Sequence, residues 1–338
     1  MHHTRNTMAA FALAACAIAA SPTAIAQQKT DISITRQPGI IYLPSLVMEK
    51  QQLIEKAAAT LGVPGVKVEW RSFSSGGAQT DALLSGNVDI VNTGVGNLLL
   101  LWDRTKGGIK GIVANSALPL TLISRDPRIH SIKDIGPNDR IAVPTVRVST
   151  QAILLPMAAA QLYGPDNWNK LDANTVQLGH PDAALMLANP KGEVLSHFSA
   201  PPFSAYELKN VPGAHVVAQS PDIIGGPLTQ SQFFTTTKFA EANPKIIQAI
   251  RIASDEAIAF INKDTPAAVD IYREIAKDKT SREEILESMK QPGMMDYGTK
   301  PQGTMKFAAH LHKIGTLKTL PKAWTDYYLP SSSDLGGN

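Results

Sequence analysis

The chain has 338 residues, a formal net charge of +3 at pH 7, 43% hydrophobic residues and one cysteine. That length accommodates about two ordinary domains, each with enough apolar residues for a core. The mild charge, with no basic run and few aromatics among the Lys and Arg residues, excludes a nucleic-acid-binding surface, and a single cysteine excludes a disulfide framework and a cysteine metal site.

Residues 1–26 read as a secretory signal peptide. Arg5 follows two histidines, Met8 to Ala20 is an unbroken apolar stretch, and Ala24-Ile25-Ala26 is a small-residue cleavage pattern before Gln27. The stretch is too short for a transmembrane span, so the mature protein is expected outside the cytoplasm. Leu13-Ala14-Ala15-Cys16 also fits a lipobox, but the apolar run continues past Cys16, which favours the cut after Ala26. That cut removes the thiol and the charge of Arg5.

Strand-like runs alternate with helix-like ones through the first two thirds of the chain. The predicted strands are Ile32–Arg36, Val66–Phe73, Val88–Asn92, Ile109–Ala114, Leu120–Ser124, Ile141–Pro144, Val176–Gly179, Val194–Phe198 and Val216–Gln219. A helix capped by Ser45 carries Leu46, Leu53, Ile54, Ala57 and Leu61 on one side and stops at Gly62. Such alternation predicts parallel sheets covered by helices on both faces. Two segments, near Asn115–Leu122 and at Ser220–Phe234, read as crossings between lobes.

The last third is helical. Asn243-Pro244 opens a helix with Ile247, Ile250, Ala257 and Ile261 on one face, and Thr265-Pro266 opens another in the same way. Ser281 with Glu284 forms a capping box before Ile285, Leu286 and Met289. The polar residues 331–338 are expected to form a flexible tail.

The stretch Ser74–Gly94 combines a Ser/Gly loop, a helix, the turn Gly86-Asn87, a buried strand and a polar Asn-Thr-Gly corner. A glycine-rich loop at a helix amino end leaves backbone N–H groups free and aims a partial positive charge outward, an arrangement suited to a small anion. An ordinary exposed loop has the same signature. In doubly wound sheets ligands bind beyond the carboxyl ends of the strands. The strand ends supply Arg36, Gln37 and Tyr42, then Ser75, Gly76 and Gly77, then Asn92 and Thr93. In the second half they supply Arg147, Ser149 and Thr150, and Pro202 with Phe203.

No enzyme motif competes. There is no G-x-S-x-G, P-loop or G-x-G-x-x-G, and His310 and His312 are two apart, pointing away from each other on a helix. Neither a cofactor nor a metal is expected.

Several segments resemble one family in the right order. ALLSGNVDIVNTGV (residues 82–95), Pro38 to Pro44, SIKDIGPNDRIAVP (131–144) and LSHFSAPPF (195–203) resemble the nitrate/sulfonate/taurine-type periplasmic substrate-binding proteins of ABC importers. The resemblance implies an α/β, type II periplasmic-binding-protein fold: two doubly wound α/β lobes joined by a two-strand hinge. It places lobe 1 at 27–119 and 225–330, and lobe 2 at 120–224. It implies a monomeric, non-enzymatic periplasmic protein that hands a small-molecule ligand to an ABC transporter membrane permease.

Two departures from the family pattern bear on the ligand. Arg147 stands where the family has a short Gly/Ser turn, and offers a bidentate clamp for a carboxylate or sulfonate. A solvated or paired surface arginine is the alternative there, as an ion pair is for Arg36. Ser199 to Phe203 lack the family's Trp and acid, which disfavours a zwitterion such as taurine and favours an anionic or aromatic solute. Tyr42 and Phe203 offer stacking faces, or pack within a lobe. The alternatives to this function are an exported enzyme with an unrecognised site and a binding protein for a thiamine-pyrimidine-like precursor.

Overall fold

The computed structural model describes residues 29–338; the expected signal segment, with Cys16 and the Ala26 cleavage site, lies outside the described residues. The chain begins with β1 (Asp31–Arg36), α1 (Leu43–Gln51), α2 (Leu53–Thr60), β2 (Lys67–Ser72), α3 (Gly76–Leu84), β3 (Ile90–Thr93), α4 (Val95–Arg104) and β4 (Ile109–Ser116). It crosses to β5 (Thr121–Ser124), β6 (Ile141–Val143), α5 (Thr150–Tyr163), β7 (Thr175–Gln177), α6 (His180–Ala188), β8 (Ser196–Ser199), α7 (Phe203–Asn210), β9 (His215–Gln219) and α8 (Ser220–Ile224). It returns to β10 (Ser231–Thr236), then α9 (Thr237–Ala242), α10 (Pro244–Lys263), α11 (Thr265–Ala276), α12 (Arg282–Met289) and α13 (Thr304–Lys313).

Among the described residues the strands form two five-stranded sheets, ordered β2-β1-β3-β10-β4 and β7-β6-β8-β5-β9. They are mixed rather than parallel. β10 runs antiparallel to β3 and β4, and β5 antiparallel to β8 and β9. In both sheets the reversed strand is the one entered directly after a crossing. β5 starts with Thr121 beside Ser199 and Gln219, the last residues of β8 and β9. β10 starts with Ser231 beside Ser116, the last residue of β4. Each crossing therefore enters its sheet at the carboxyl ends of the parallel strands, and those two ends face each other. Ser220 ties the crossings together: its N–H donates to Leu120 O at 2.8 Å, and the Leu120 N–H donates to its hydroxyl at 2.9 Å.

β10 is missing from the sequence reading because SQFFTT shows no clear alternation of apolar and polar residues. Its buried hydroxyls are bonded: Ser231 donates to Asn92 Oδ1 at 2.7 Å and Thr235 to Asp89 O at 2.6 Å, while Gln232 accepts from Tyr328 and leaves its amide nitrogen unpartnered. Such bonds remove most of the cost of burying hydroxyls.

Ile34, Ile90, Val91 and Val113 of the first sheet are fully buried, as is the Ile247, Ile250, Ala257 and Ile261 face of α10. α10 packs on α1, α2 and β4, and burial of each such aliphatic side chain stabilises the fold by about 1.5–3 kcal/mol. Other expectations shift. Ser45 lies inside α1 and donates to Tyr42 O at 2.7 Å instead of capping the helix, which starts at Leu43 with Pro44 in its first turn. The helix breaks at Gln52, whose φ of 52° ends α1 before α2. Asp264, one residue earlier than Thr265, caps α11 through its carboxylate. The Ser281–Glu284 capping box is present. Residues 331–338 are not a flexible tail. Ser332 is buried and donates to Ile112 O at 2.6 Å, Arg251 pairs with Asp334, and Asn338 O accepts from Thr304 N–H. Leu335 is the segment's one apolar contact with the core, and docking that rests otherwise on hydrogen bonds is not legible from composition.

Candidate functional site

At the carboxyl ends of β1 and β3, Gln37 donates its side-chain amide to Tyr42 Oη at 2.7 Å and to Thr93 Oγ1 at 2.9 Å. All three residues are buried, and burial pushes the Tyr42 phenol well above its ordinary value, so it stays protonated. Ser75 caps α3 by accepting from Ala78 N–H. Gly76, the first residue of α3, has no room for a side chain: a Cβ there would lie 2.5 Å from Thr93 Oγ1 and 2.8 Å from Asn97 Oδ1. Asn97, in the first turn of α4, is buried with its amide nitrogen unpartnered, and Gln79, in the first turn of α3, has neither amide atom paired. Buried amides are ordinarily bonded, so these exceptions mark a polar locus lacking a partner.

The second lobe answers this locus from across the seam. Gly77 N–H approaches Thr145 Oγ1, just beyond β6, at 3.4 Å. A Cβ on Gly94 would lie 2.5 Å from Thr150 Oγ1, and one on Gly179 would lie 3.1 Å from Ser74 O. Ile40 N–H donates to Pro201 O at 3.2 Å. The amino ends of α3 and α4 on one side thus meet those of α5 and α6 on the other. Ser149 caps α5 by accepting from Ala152 N–H. Opposed helix amino ends concentrate partial positive charge and free N–H groups in one place.

Most of the predicted residues are brought to this seam: Gln37, Tyr42, Ser75, Gly76, Gly77, Thr93, Ser149 and Thr150. Asn92 sits behind them with its oxygen bonded to Ser231 and its amide nitrogen free. Pro202 and Phe203 open α7, where the Phe203 ring stacks on His180 at 5.8 Å. The two arginines stand apart. Arg36 is held by Glu49 and donates to Ser72 Oγ at 2.9 Å, an ion pair on the flank of the first sheet. Arg147 is exposed, with a left-handed φ of 62° and Asp172 as its nearby opposite charge.

Sequence reasoning missed a buried chain under the second lobe's surface. Gln151 lies 3.1 Å from His180 Nε2, His180 Nδ1 lies 2.9 Å from His197 Nε2, and His197 Nδ1 lies 2.6 Å from Glu207 Oε1. Burial lowers His197 to about 3, lowers His180 well below its usual value, and raises Glu207 to about 8. The segment expected to lack an acid therefore lies over one, held neutral near pH 7. Glu207 is four residues after Phe203, on the same face of α7, which is the only trace of it in the sequence.

Among the described residues no group of three His, Cys, Asp or Glu side chains is placed to hold a metal ion. No family model and no curated protein matches the chain. Solved structures do. The alkanesulfonate-binding protein SsuA from Xanthomonas axonopodis pv. citri, bound to MOPS, is similar over 90% of this chain and 98% of its own, with a TM-score of 0.67 and 16% identity. The Candida albicans CA3427 product, which exhibits the generic periplasmic binding protein fold, covers 91% and 96% with a TM-score of 0.62 and 14% identity. The nitrate-binding protein NrtA from Synechocystis PCC 6803 covers 90% and 84%, with a TM-score of 0.60 and 14% identity.

The chain has the periplasmic-binding-protein fold. In that fold a seam of this kind is a cleft between two lobes, and here the chain crosses between its two sheets at 117–120 and 225–230. Gly77 against Thr145 and Gly94 against Thr150 then describe lobes drawn together.

Proposed function

We propose that this protein is an extracytoplasmic solute-binding component of an ABC importer. It captures a small organic anion, of the sulfonate or carboxylate kind, between its lobes and delivers it unchanged to a membrane permease. Residues 29–119 and 225–338 form one lobe and 120–224 the other. The protein works as a monomer in the periplasm, after export by the 1–26 signal.

The observation that carries this reading is the meeting of four helix amino ends around unpartnered buried amides. Gln37, Tyr42, Ser75, Gly76, Gly77, Thr93, Ser149 and Thr150 supply hydroxyls and N–H groups, and Phe203 supplies an aromatic face. Arg36 is committed to Glu49, and Arg147 is exposed at the rim. Anion recognition therefore falls to neutral donors and helix dipoles. Micromolar binding needs about 8 kcal/mol. Charge-assisted hydrogen bonds of about 1.5–3 kcal/mol each, with burial of the solute body on closure, reach that figure after association costs. The sulfonate and nitrate ligands in the names of the similar proteins are anions of the same kind.

Thermal-shift and calorimetric titration with ethanesulfonate, benzoate, nitrate, taurine and a hydroxymethyl-pyrimidine tests the reading. Stabilisation by a sulfonate or carboxylate recovered unaltered supports it. Stabilisation by the pyrimidine alone, or chemical conversion of the bound compound, replaces it with one of the two alternatives.

A further inference from the structure

The chain from Gln151 to Glu207 is continuous at hydrogen-bond distance. Its inner end is sealed: His197 and Glu207 have no exposure, and Phe203 covers one face of His180. Ser199 faces the same carboxyl group without completing a hydrogen bond, so Glu207 Oε2 has no partner. An unpartnered oxygen is far cheaper on a neutral acid than on a carboxylate. The outer end lies at the seam. Gln151, 5% exposed, follows Thr150 in the first turn of α5 and reaches His180 at the amino end of α6, two helix ends that meet the first lobe there, and its second amide atom has no partner among the described residues.

We propose that protonation of Glu207 sets the hydrogen-bond polarity of Gln151 at the interlobe seam, through the tautomers of His197 and His180. With Glu207 ionised, His197 Nδ1–H donates to the carboxylate, and His197 Nε2 accepts from His180 Nδ1–H. His180 Nε2 then accepts from the Gln151 amide N–H, and Gln151 turns its carbonyl oxygen to the seam. A proton arriving from the seam binds His180 Nε2 while His180 Nδ1–H passes to His197 Nε2. The His197 Nδ1 proton then moves to Glu207. Each imidazole keeps one proton, both tautomers invert, and one proton is gained at Glu207. His180 Nε2–H now donates, so Gln151 rotates to accept through its oxygen and turns its NH2 to the seam. The protonated state presents a donor and the ionised state an acceptor.

Few groups disturb this equilibrium. α6 and β5 pack most closely on α7, and β8 lies beneath. α6 brings His180 and Asp182, β8 brings His197, β5 brings no titratable side chain, and Tyr206 and Lys209 of α7 lie at the surface. Burial is the main influence on Glu207, and His197 at 2.6 Å is its one close titratable neighbour among these groups.

The consequence for ligand rests on the anion-binding reading above: an anion needs the donor, so its binding is linked to proton uptake. Long-range 1H–15N spectra of the full chain with labelled histidine read both tautomers without any ligand. The expected result is Nε2–H on both rings at about pH 6.5 and Nδ1–H on both at about pH 9.5, with one shared midpoint. In Glu207→Gln the spectra do not change over that range. Tautomers that stay fixed in the wild type, or that change at two separate midpoints, overturn the proposal. Calorimetry with ethanesulfonate, whose charge is constant across the range, reads the coupling: affinity falls about fivefold or more at the higher pH in the wild type. It does not fall in Gln151→Leu, which keeps Glu207 and both rings. Equal wild-type affinity at both pH values overturns the coupling. Absence of binding at either pH refutes the anion reading, and the ligand-free spectra still decide the relay.

Discussion

Gly94 and Thr150 face each other across the interlobe seam so closely that a methyl group on Gly94 would lie 2.5 Å from Thr150 Oγ1. Gly94 has φ −68° and ψ 160°, a conformation open to any residue, and the next nearest atom to a Cβ there is Gln230 O at 3.7 Å. Gly94→Ala therefore leaves each lobe intact and obstructs closure. The expected outcome is a melting temperature close to wild type, a larger radius of gyration by small-angle scattering, and ligand affinity reduced by tenfold or more, about 1.4 kcal/mol. Gly94→Ala with Thr150→Ala restores part of the affinity; a double variant no better than the single one removes Thr150 from the seam.

Gly76 differs, because its neighbours Thr93 and Asn97 belong to its own lobe. Gly76→Val pushes both side chains aside and breaks the Gln37–Thr93 bond, leaving one buried N–H of Gln37 unpaired at a cost of about 1–3 kcal/mol. Both stability and binding are expected to fall, measured by denaturant unfolding and by calorimetry.

Arg36→Met provides the contrast. The Arg36–Glu49 pair is partly buried and distant in function from the seam, so its loss costs about 1 kcal/mol or less and leaves ligand affinity unchanged. A large drop in affinity with stability preserved would place Arg36 in the site after all.

Glu207 makes stability depend on pH in a defined direction. Its folded value, about 8, is raised by burial from 4.5, so between these values the native state binds more protons than the unfolded chain. The contribution is fully present below the unfolded value and is lost as pH rises through about 8. His197, lowered from 6.5 to about 3, acts oppositely: its unfolded form binds the extra proton, so stability is gained as pH rises from the folded value to the unfolded one. Wild-type melting temperature is therefore expected to decline by a few °C between neutral and alkaline pH. In Glu207→Gln that decline disappears. An unchanged slope in the variant contradicts the assignment of the raised acid to Glu207.

The sequence made the scaffold legible where periodicity and caps agree with tertiary structure. β1, β2 and β4 stand close to their apolar runs, and α10 and α12 are announced by Pro244 and the Ser281–Glu284 box. β10 was hidden because its buried Ser231 and Thr235 are satisfied by long-range bonds, and the Gln52 break because neither glycine nor proline marks it. The strand-end rule named Gln37, Thr93, Ser149 and Thr150, which backbone topology alone carries to the seam. Of the two readings open for Arg36, the structure has the ion pair, with a Glu49 that arrives one helix later. The rule missed the relay because His180, His197 and Glu207 sit on three elements, 17 and 10 residues apart, and only the packed fold makes them neighbours.

Native mass spectrometry of the protein purified from its own source bears most directly on the capture of a small anion between the lobes. One organic anion per chain, released unaltered on denaturation and absent from Gly94→Ala, is the predicted result. A bare chain that stays bare when sulfonates and carboxylates are supplied, or a bound compound that emerges chemically changed, contradicts it.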